Sequence, residues 1–157
     1  METVLGKEKL SFETLPKLVF TKQVVQEALR LYPPVWISGK RALQTDNLNG
    51  YKIRKNDNFI YSPMILHRHA GYWPDAQLFK PERFSEQTSL EPFTYIPFGG
   101  GAKFCVGSHL ALMILQLAVA RIYSEYILET EVKEVAINPF TTLKPLTDLT
   151  FIARKTV

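Results

Sequence analysis

Cysteine is almost missing from this chain: Cys105 is alone among 157 residues, so no internal disulfide can form. A reducing compartment is compatible with that usage. Charge of one sign is also thin. Nineteen Lys and Arg against fifteen Asp and Glu leave a formal +4, with no run of five like charges. Such a balance fits a solvated mixed surface or a basic patch for an acidic partner, and no nucleic-acid-binding motif accompanies it. A nucleic-acid partner is therefore not expected. Long apolar runs are lacking as well: the longest, residues 110–120, is broken by Gln116 and falls well short of the ~20 residues of a membrane-spanning helix. The opening METVLGKEKL has no signal-peptide apolar region. The chain reads as soluble in character, with a cytoplasmic location as the expectation. There is no internal repeat or low-complexity segment, and 46% apolar with 22% charged residues is ordinary for a folded domain.

What is present is uneven. Residues 17–31 read as a helix, with Leu18, Val19, Val25, Ala28, Leu29 and Leu31 supplying apolar faces. Pro33 and Pro34 stop it, since neither donates a backbone hydrogen bond and the residue before a proline avoids helix. Residues 36–42 and 51–53 carry strand-favouring side chains, separated by the turn-rich 46–50, and 59–66 suits a further extended or short helical piece. From 70 to 101, four prolines and four glycines alternate with seven aromatic residues. That mixture predicts an ordered coil packed on a surface. A second helix is expected over 106–126, apolar on most faces and hence buried. Short strands around Pro139 and Pro145 close the chain. The fold class is α+β, mainly α.

Four of the eight glycines fall in residues 98–107, around Cys105. Glycine lets the main chain approach a bound group closely. Cys105 just precedes the apolar helix, whose N-terminal dipole favours a thiolate, and Lys103 adds a positive charge. These features suit nucleophilic, redox or metal chemistry, against the plain alternative of an inert buried cysteine. The glycines match neither the GxxxxGK[ST] nor the GxGxxG phosphate loop. Cys105 and His109 stand four apart on a helix and His67 and His69 form an HxH pair, so zinc is a further alternative.

The loop resembles the haem-binding signature of the cytochrome P450 family, F-x-x-G-x-basic-x-C-x-G, at Phe98, Gly101, Lys103, Cys105 and Gly107, with Ala111 where that family usually has alanine. Glu27 and Arg30 fall as in its ExxR helix, followed by Leu-Tyr-Pro-Pro. Residues 81–84 read PERF, and His67, Arg68 and Trp73-Pro74-Asp75 lead towards it as in the family. The resemblance covers nearly the whole chain. It implies residues 1–157 as a partial, C-terminal haem-ligating portion of the cytochrome P450 fold: ExxR helix, small β-sheets, meander coil, Cys-loop and following long helix. The family's oxygen-activating helix has no counterpart in the sequence, so the chain alone is expected to be unstable and inactive.

The resemblance also implies roles. Cys105 would be the axial ligand of haem b (iron protoporphyrin IX), with Phe98 packed near its sulfur. Gly101 and Gly107 would shape the loop. Lys103 stands where the family usually has Arg or His, which keeps the charge and loses the bidentate fork. Arg41 would be a second partner for the haem propionates. Glu27, Arg30 and Arg83 would form a buried structural network beneath the cofactor. Val35, Trp36, Ile37, Phe140 and Thr141 fall where family members contact substrate. The implied reaction is monooxygenation of a small apolar organic substrate with O₂ and an electron-donor protein, a flavoprotein reductase or a ferredoxin. Haem-thiolate isomerase, dehydratase or peroxygenase chemistry, and a non-catalytic haem-binding fragment, are the alternatives.

Overall fold

The computed structural model describes residues 8–85 and 89–156. A 3-10 turn at Leu15–Lys17 leads into α1, Val19–Leu31, slightly shorter than the 17–31 read from sequence. Val25 and Leu29, one turn apart, are buried with Leu31, and so are Glu27 and Arg30. Tyr32 leaves helical geometry at φ −129 immediately before Pro33, as the proline steric rule requires.

After α1 the chain makes small antiparallel ribbons. β1 (Ser38–Arg41) pairs with β4 (Asn58–Tyr61), Ser38 facing Tyr61 and Arg41 facing Asn58. Between them, β2 (Asp46–Leu48) pairs with β3 (Tyr51–Ile53). The expected turn over 46–50 is thus narrower than read: Asp46, Asn47 and Leu48 are strand. The reversal is left to Asn49 and Gly50, at φ +50 and +89, the double left-handed geometry of a tight hairpin. The expectation for 59–66 resolves into both of its options, β4 and then a short helix, α2, at Pro63–Leu66, capped by the Ser62 hydroxyl, which accepts from the Ile65 amide.

Residues 67–107 hold no longer element than two 3-10 turns, at Pro81–Phe84 and Gly101–Lys103, among those described. The coil is ordered by its aromatic residues: His67, Trp73, Phe84 and Tyr95 stack with ring centroids 4.8–6.3 Å apart. α3 runs from Ser108 to Glu125. β5 (Tyr126–Glu129) pairs with β8 (Ile152–Lys155), and β6 (Ile137–Pro139) with β7 (Leu143–Pro145).

Two packing centres result. Leu15, Leu18 and Ala120, flanked by Leu10, Met113 and Leu117, fasten the entry of α1 to the middle of α3. The aromatic coil lies against the other end of α1, where the Pro81–Phe84 turn docks. The expected burial of α3 is corrected. Only Ser108, Gln116 and Ala120 are buried, while Leu110, Ile114, Ile122 and Tyr123 are exposed, because no described segment lies on that side of the helix. The same shortfall appears globally. The chain exposes 12037 Å², against about 8,000 Å² expected of a compact monomer of its mass. All four described sheets are two-stranded, so each strand keeps one unpaired edge. No described helix is long and apolar enough to cross a membrane.

Candidate functional site: a cysteine-rimmed cleft over a buried ion network

Glu27 and Arg30 stand three apart on α1, so their side chains meet, and both are wholly buried. Arg30 Nε donates to Glu27 Oε2 at 2.7 Å, and Nη2 donates to Oε1 at 2.9 Å. The remaining guanidinium protons go to three backbone carbonyls: His67 at 2.6 Å, Ala76 at 2.8 Å and Leu78 at 3.1 Å. All five Arg30 donors are therefore satisfied. Glu27 Oε1 also accepts from the Lys80 amide at 2.7 Å and from Arg83 Nε at 3.4 Å, and Arg83 Nη2 donates to the Asp75 carbonyl at 2.7 Å. The network ties one helix to the first part of the coil that leads to the cysteine loop, between His67 and Arg83.

His67 extends it. Its Nδ1 lies 3.1 Å from the Arg30 carbonyl, and its Nε2 accepts from the Ile96 amide at 2.8 Å. Burial first, and then the charges of Arg30 and Arg68, draw its pKa down to about 4, against the opposing pull of the bond to the Arg30 carbonyl. Beside it, burial and the Glu27 carboxylate push the Tyr95 hydroxyl well above its usual pKa, and that hydroxyl donates to the Gln26 carbonyl at 2.9 Å.

From Ile96 the chain enters the loop. The Gly99 amide donates to the Ile96 carbonyl at 3.0 Å, and the Cys105 amide to the Phe98 carbonyl at 3.1 Å. Gly99 and Gly101 take φ +77 and +68, the left-handed region that a side chain penalises, which is why glycine stands there. Gly107 is the residue before α3, and the Ser108 amide turns back to the Cys105 carbonyl at 3.2 Å.

A cleft of about 220 Å³ opens where this loop faces the β1–β4 ribbon. Val35, Pro63, Ile96, Pro97 and Phe98 make its wall apolar, while Ser38, Tyr61, Lys103 and Cys105 bring polar atoms to it. Cys105 is an exposed free thiol, Val106 beside it is entirely exposed, and a Cβ on Gly101 would meet no heavy atom within 4 Å. One soft sulfur donor, a cation and an apolar wall fit a flat, hydrophobic, anionic metallo-cofactor such as haem. They do not fit zinc. His67 has both ring nitrogens engaged, the His69 Nδ1 accepts from Gly71, and no group of three metal-binding side chains occurs among the described residues.

The other sequence candidates divide. Val35 lines the cleft, and the Trp36 indole donates to the Phe140 carbonyl at 2.9 Å, joining the segment after α1 to the tail. Ile37, Phe140 and Thr141 are exposed and outside the cleft lining. Arg41 is exposed at the end of β1. Strand residues alternate faces, so Lys40 shares the face of the cleft-lining Ser38, and Arg41 takes the opposite one. Sequence reasoning passed over Lys40, although the period-2 rule applied to 38–41 would have paired it with Ser38. It also treated His67 as a zinc candidate and as part of a family motif without a role, because no spacing rule points to a backbone amide 29 positions away.

The chain is similar to a body of known proteins. The cytochrome P450 family profile matches residues 1–151. The probable cytochrome P450 6t3 of Drosophila melanogaster is 34% identical over 151 residues, covering 88% of this chain and 30% of the relative. Cytochrome P450 26A1 of Danio rerio is 44% identical over 111 residues, 69% of this chain and 22% of the relative. Beta-amyrin 24-hydroxylase of Glycine max is 35% identical over 130 residues, 76% of this chain and 25% of the relative. Among solved structures, the crystal structure of the cytochrome P450DA heme domain superposes with a TM-score of 0.90 at 26% identity, over 99% of this chain and 36% of the other. The chain spans about a third or less of the length of these proteins, and its helices and small sheets are arranged as in part of their fold. On the match of the family profile and the identity to these relatives, the chain belongs to the cytochrome P450 family.

Proposed function

We propose that this chain is the thiolate-bearing side of a haem monooxygenase, with Cys105 as the iron ligand of haem b. The observation that carries the reading is the exposed Cys105 thiol at the rim of a mainly apolar cleft that also holds Lys103. Haem bound there would supply O₂ activation, in which overall one oxygen atom enters a C–H bond of an apolar substrate and the other leaves as water, with two electrons from a flavoprotein reductase or ferredoxin and two protons from solvent. Relatives named as hydroxylases support this reaction class over isomerisation or dehydration.

The chain's own residues have separable tasks. Cys105 presents a thiolate that donates electron density, and the bond from its amide to the Phe98 carbonyl fixes its backbone beside the Phe98 ring. Lys103 supplies a point charge for a propionate, where an arginine would grip with two bonds. Lys40, on the Ser38 face of β1, replaces Arg41 as the second cation offered to that end of the cleft. With haem in place, Phe98, Ile96, Pro97 and Val35 would form the apolar wall around the sulfur's side of the cleft. Gly101 and Gly107 keep side chains away from the loop's turn into α3. Val35, which lines the cleft, would touch an apolar substrate there, with Trp36 bracing the tail that carries Phe140 and Thr141. Glu27, Arg30 and Arg83 hold the coil and take no part in chemistry. We also read residues 1–157 as part of a larger domain, supported by the exposed apolar side of α3 and the excess surface. Cytoplasmic exposure of the site agrees with the need for a reduced thiol.

The test is an absorption spectrum of the haemin-loaded protein, reduced and exposed to carbon monoxide, beside Cys105→Ser. A red-shifted thiolate-type Soret band in the wild type and its loss in the variant are expected. Identical free-haemin-like spectra from both proteins overturn the reading for this chain.

A further inference from the structure

We propose that His67 is a positioning residue whose imidazole sets the height of the cysteine loop above the buried ion network, by accepting the Ile96 amide on Nε2 while donating Nδ1–H to the Arg30 carbonyl. The inference rests on the thiolate-ligand reading only for its functional consequence; its geometry stands without that reading.

A backbone amide can only donate, so the 2.8 Å contact from Ile96 N fixes Nε2 as the unprotonated nitrogen. The proton then resides on Nδ1, 3.1 Å from the Arg30 carbonyl, which only accepts. One tautomer and one ring orientation satisfy both contacts. The ring has no freedom to swap them: it is wholly buried, with Tyr95 at 5.3 Å and Trp73 at 6.3 Å between centroids. The pairing with Arg30 is reciprocal, because the Arg30 Nη1 donates to the His67 carbonyl at 2.6 Å.

What hangs from Ile96 is the site. The Ile96 carbonyl receives the Gly99 amide, and the Phe98 carbonyl receives the Cys105 amide. Ile96, Pro97, Phe98, Gly99 and Cys105 all line the cleft. The imidazole is thus the rigid spacer through which a helix carbonyl at Arg30 positions the first residue of the loop. A histidine that merely filled space would show no preference for which of its two polar ends survived substitution. The spacer predicts a strong one.

That asymmetry is the test, made on the whole chain. In His67→Gln the side-chain Oε1 can stand where Nε2 stands and still accept from Ile96. In His67→Asn the amide Nδ2 can stand where Nδ1 stands and still donate to Arg30, leaving the part-buried Ile96 amide without its acceptor. Hydrogen exchange at Ile96, Gly99 and Cys105 is read without cofactor, and the thiolate-type fraction of the haemin- and CO-treated protein is read afterwards. Exchange in His67→Asn should quicken roughly tenfold at all three amides, as expected for losing one buried hydrogen bond, while His67→Gln stays within about twofold of wild type. The thiolate-type fraction should fall in the same order. Equal behaviour of the two variants, whether both hold, both loosen or both unfold, overturns the proposal. If the wild type itself lacks a thiolate-type band while the exchange asymmetry appears, the ligand reading falls and the positioning role of His67 stands.

Discussion

Replacing Glu27 by Gln removes one charge from the centre of the molecule and changes almost nothing in shape. The carboxylate accepts two bonds from Arg30, one from the Lys80 amide and a longer one from Arg83, with no exposure to water. If the glutamine oxygen keeps the place of Oε1, its NH₂ must face the Arg30 Nε–H, donor against donor, across the present 2.7 Å. Arg30 then stays buried, still supported by three carbonyls but without a counter-charge. Breaking a buried pair in this way costs about 3–5 kcal/mol. With a urea slope of about 2 kcal/mol per molar for a chain of this size, the midpoint should drop by roughly 1.5–2.5 M. That is a large part of a typical domain stability of about 5–15 kcal/mol, so a variant already unfolded in buffer agrees with the upper end. Urea unfolding followed by tryptophan fluorescence is the assay, since Trp73 lies against Arg30 at 5.2 Å. The double variant Glu27→Gln/Arg30→Met, which removes the stranded charge, should regain part of the loss. A Glu27→Gln midpoint within about 0.5 M of wild type would refute the reasoning, because it corresponds to only about 1 kcal/mol.

Arg30→Lys keeps the charge but offers three donors where five are used, so at least two of the five hydrogen bonds are lost; the expected destabilisation is about 2–4 kcal/mol in the same denaturation assay, and an unchanged midpoint contradicts the count. For His67, whose pKa falls from 6.5 to about 4 on folding, the unfolded chain binds more protons between those values. Its contribution is therefore complete above about pH 6.5 and lost as pH falls towards 4, by about 3 kcal/mol in all. Subtracting the pH profile of His67→Gln from that of wild type isolates this slope, and parallel profiles would show that folding leaves the proton affinity of the imidazole unchanged, against the burial argument. Gly101→Ala meets open space but must hold φ +68, so unfolding should become easier by about 1 kcal/mol; a gain in stability would mean the loop relaxes out of the left-handed region.

The legible parts of this molecule are those governed by short-range rules. α1 was readable because its apolar spacing ends at a double proline, and the cysteine loop because Phe98, Gly101, Lys103, Cys105 and Gly107 resemble a family signature, the glycines and the cysteine alone leaving several chemistries open. β2 was lost to its own composition, since Asp46 and Asn47 are turn formers and only the Asn49-Gly50 reversal disclosed the hairpin. The burial of α3 was overestimated because an apolar helix announces that it will be covered without saying by what. The ion network was readable as a pair on one helix face, but its carbonyl acceptors at His67, Ala76 and Leu78 carry no side-chain signature at all.

Those acceptors lie 37, 46 and 48 residues beyond Arg30. During synthesis at about 5–20 residues per second, they emerge roughly 2–10 s after the arginine. Throughout that interval α1 carries a guanidinium for which the nascent chain offers no burial site, so its polar face must stay in water. The helix can form early, but it can dock only once the coil has been made. The coil between residues 67 and 107, which holds no element longer than a 3-10 turn among those described, therefore sets the earliest moment at which α1 can bury its arginine.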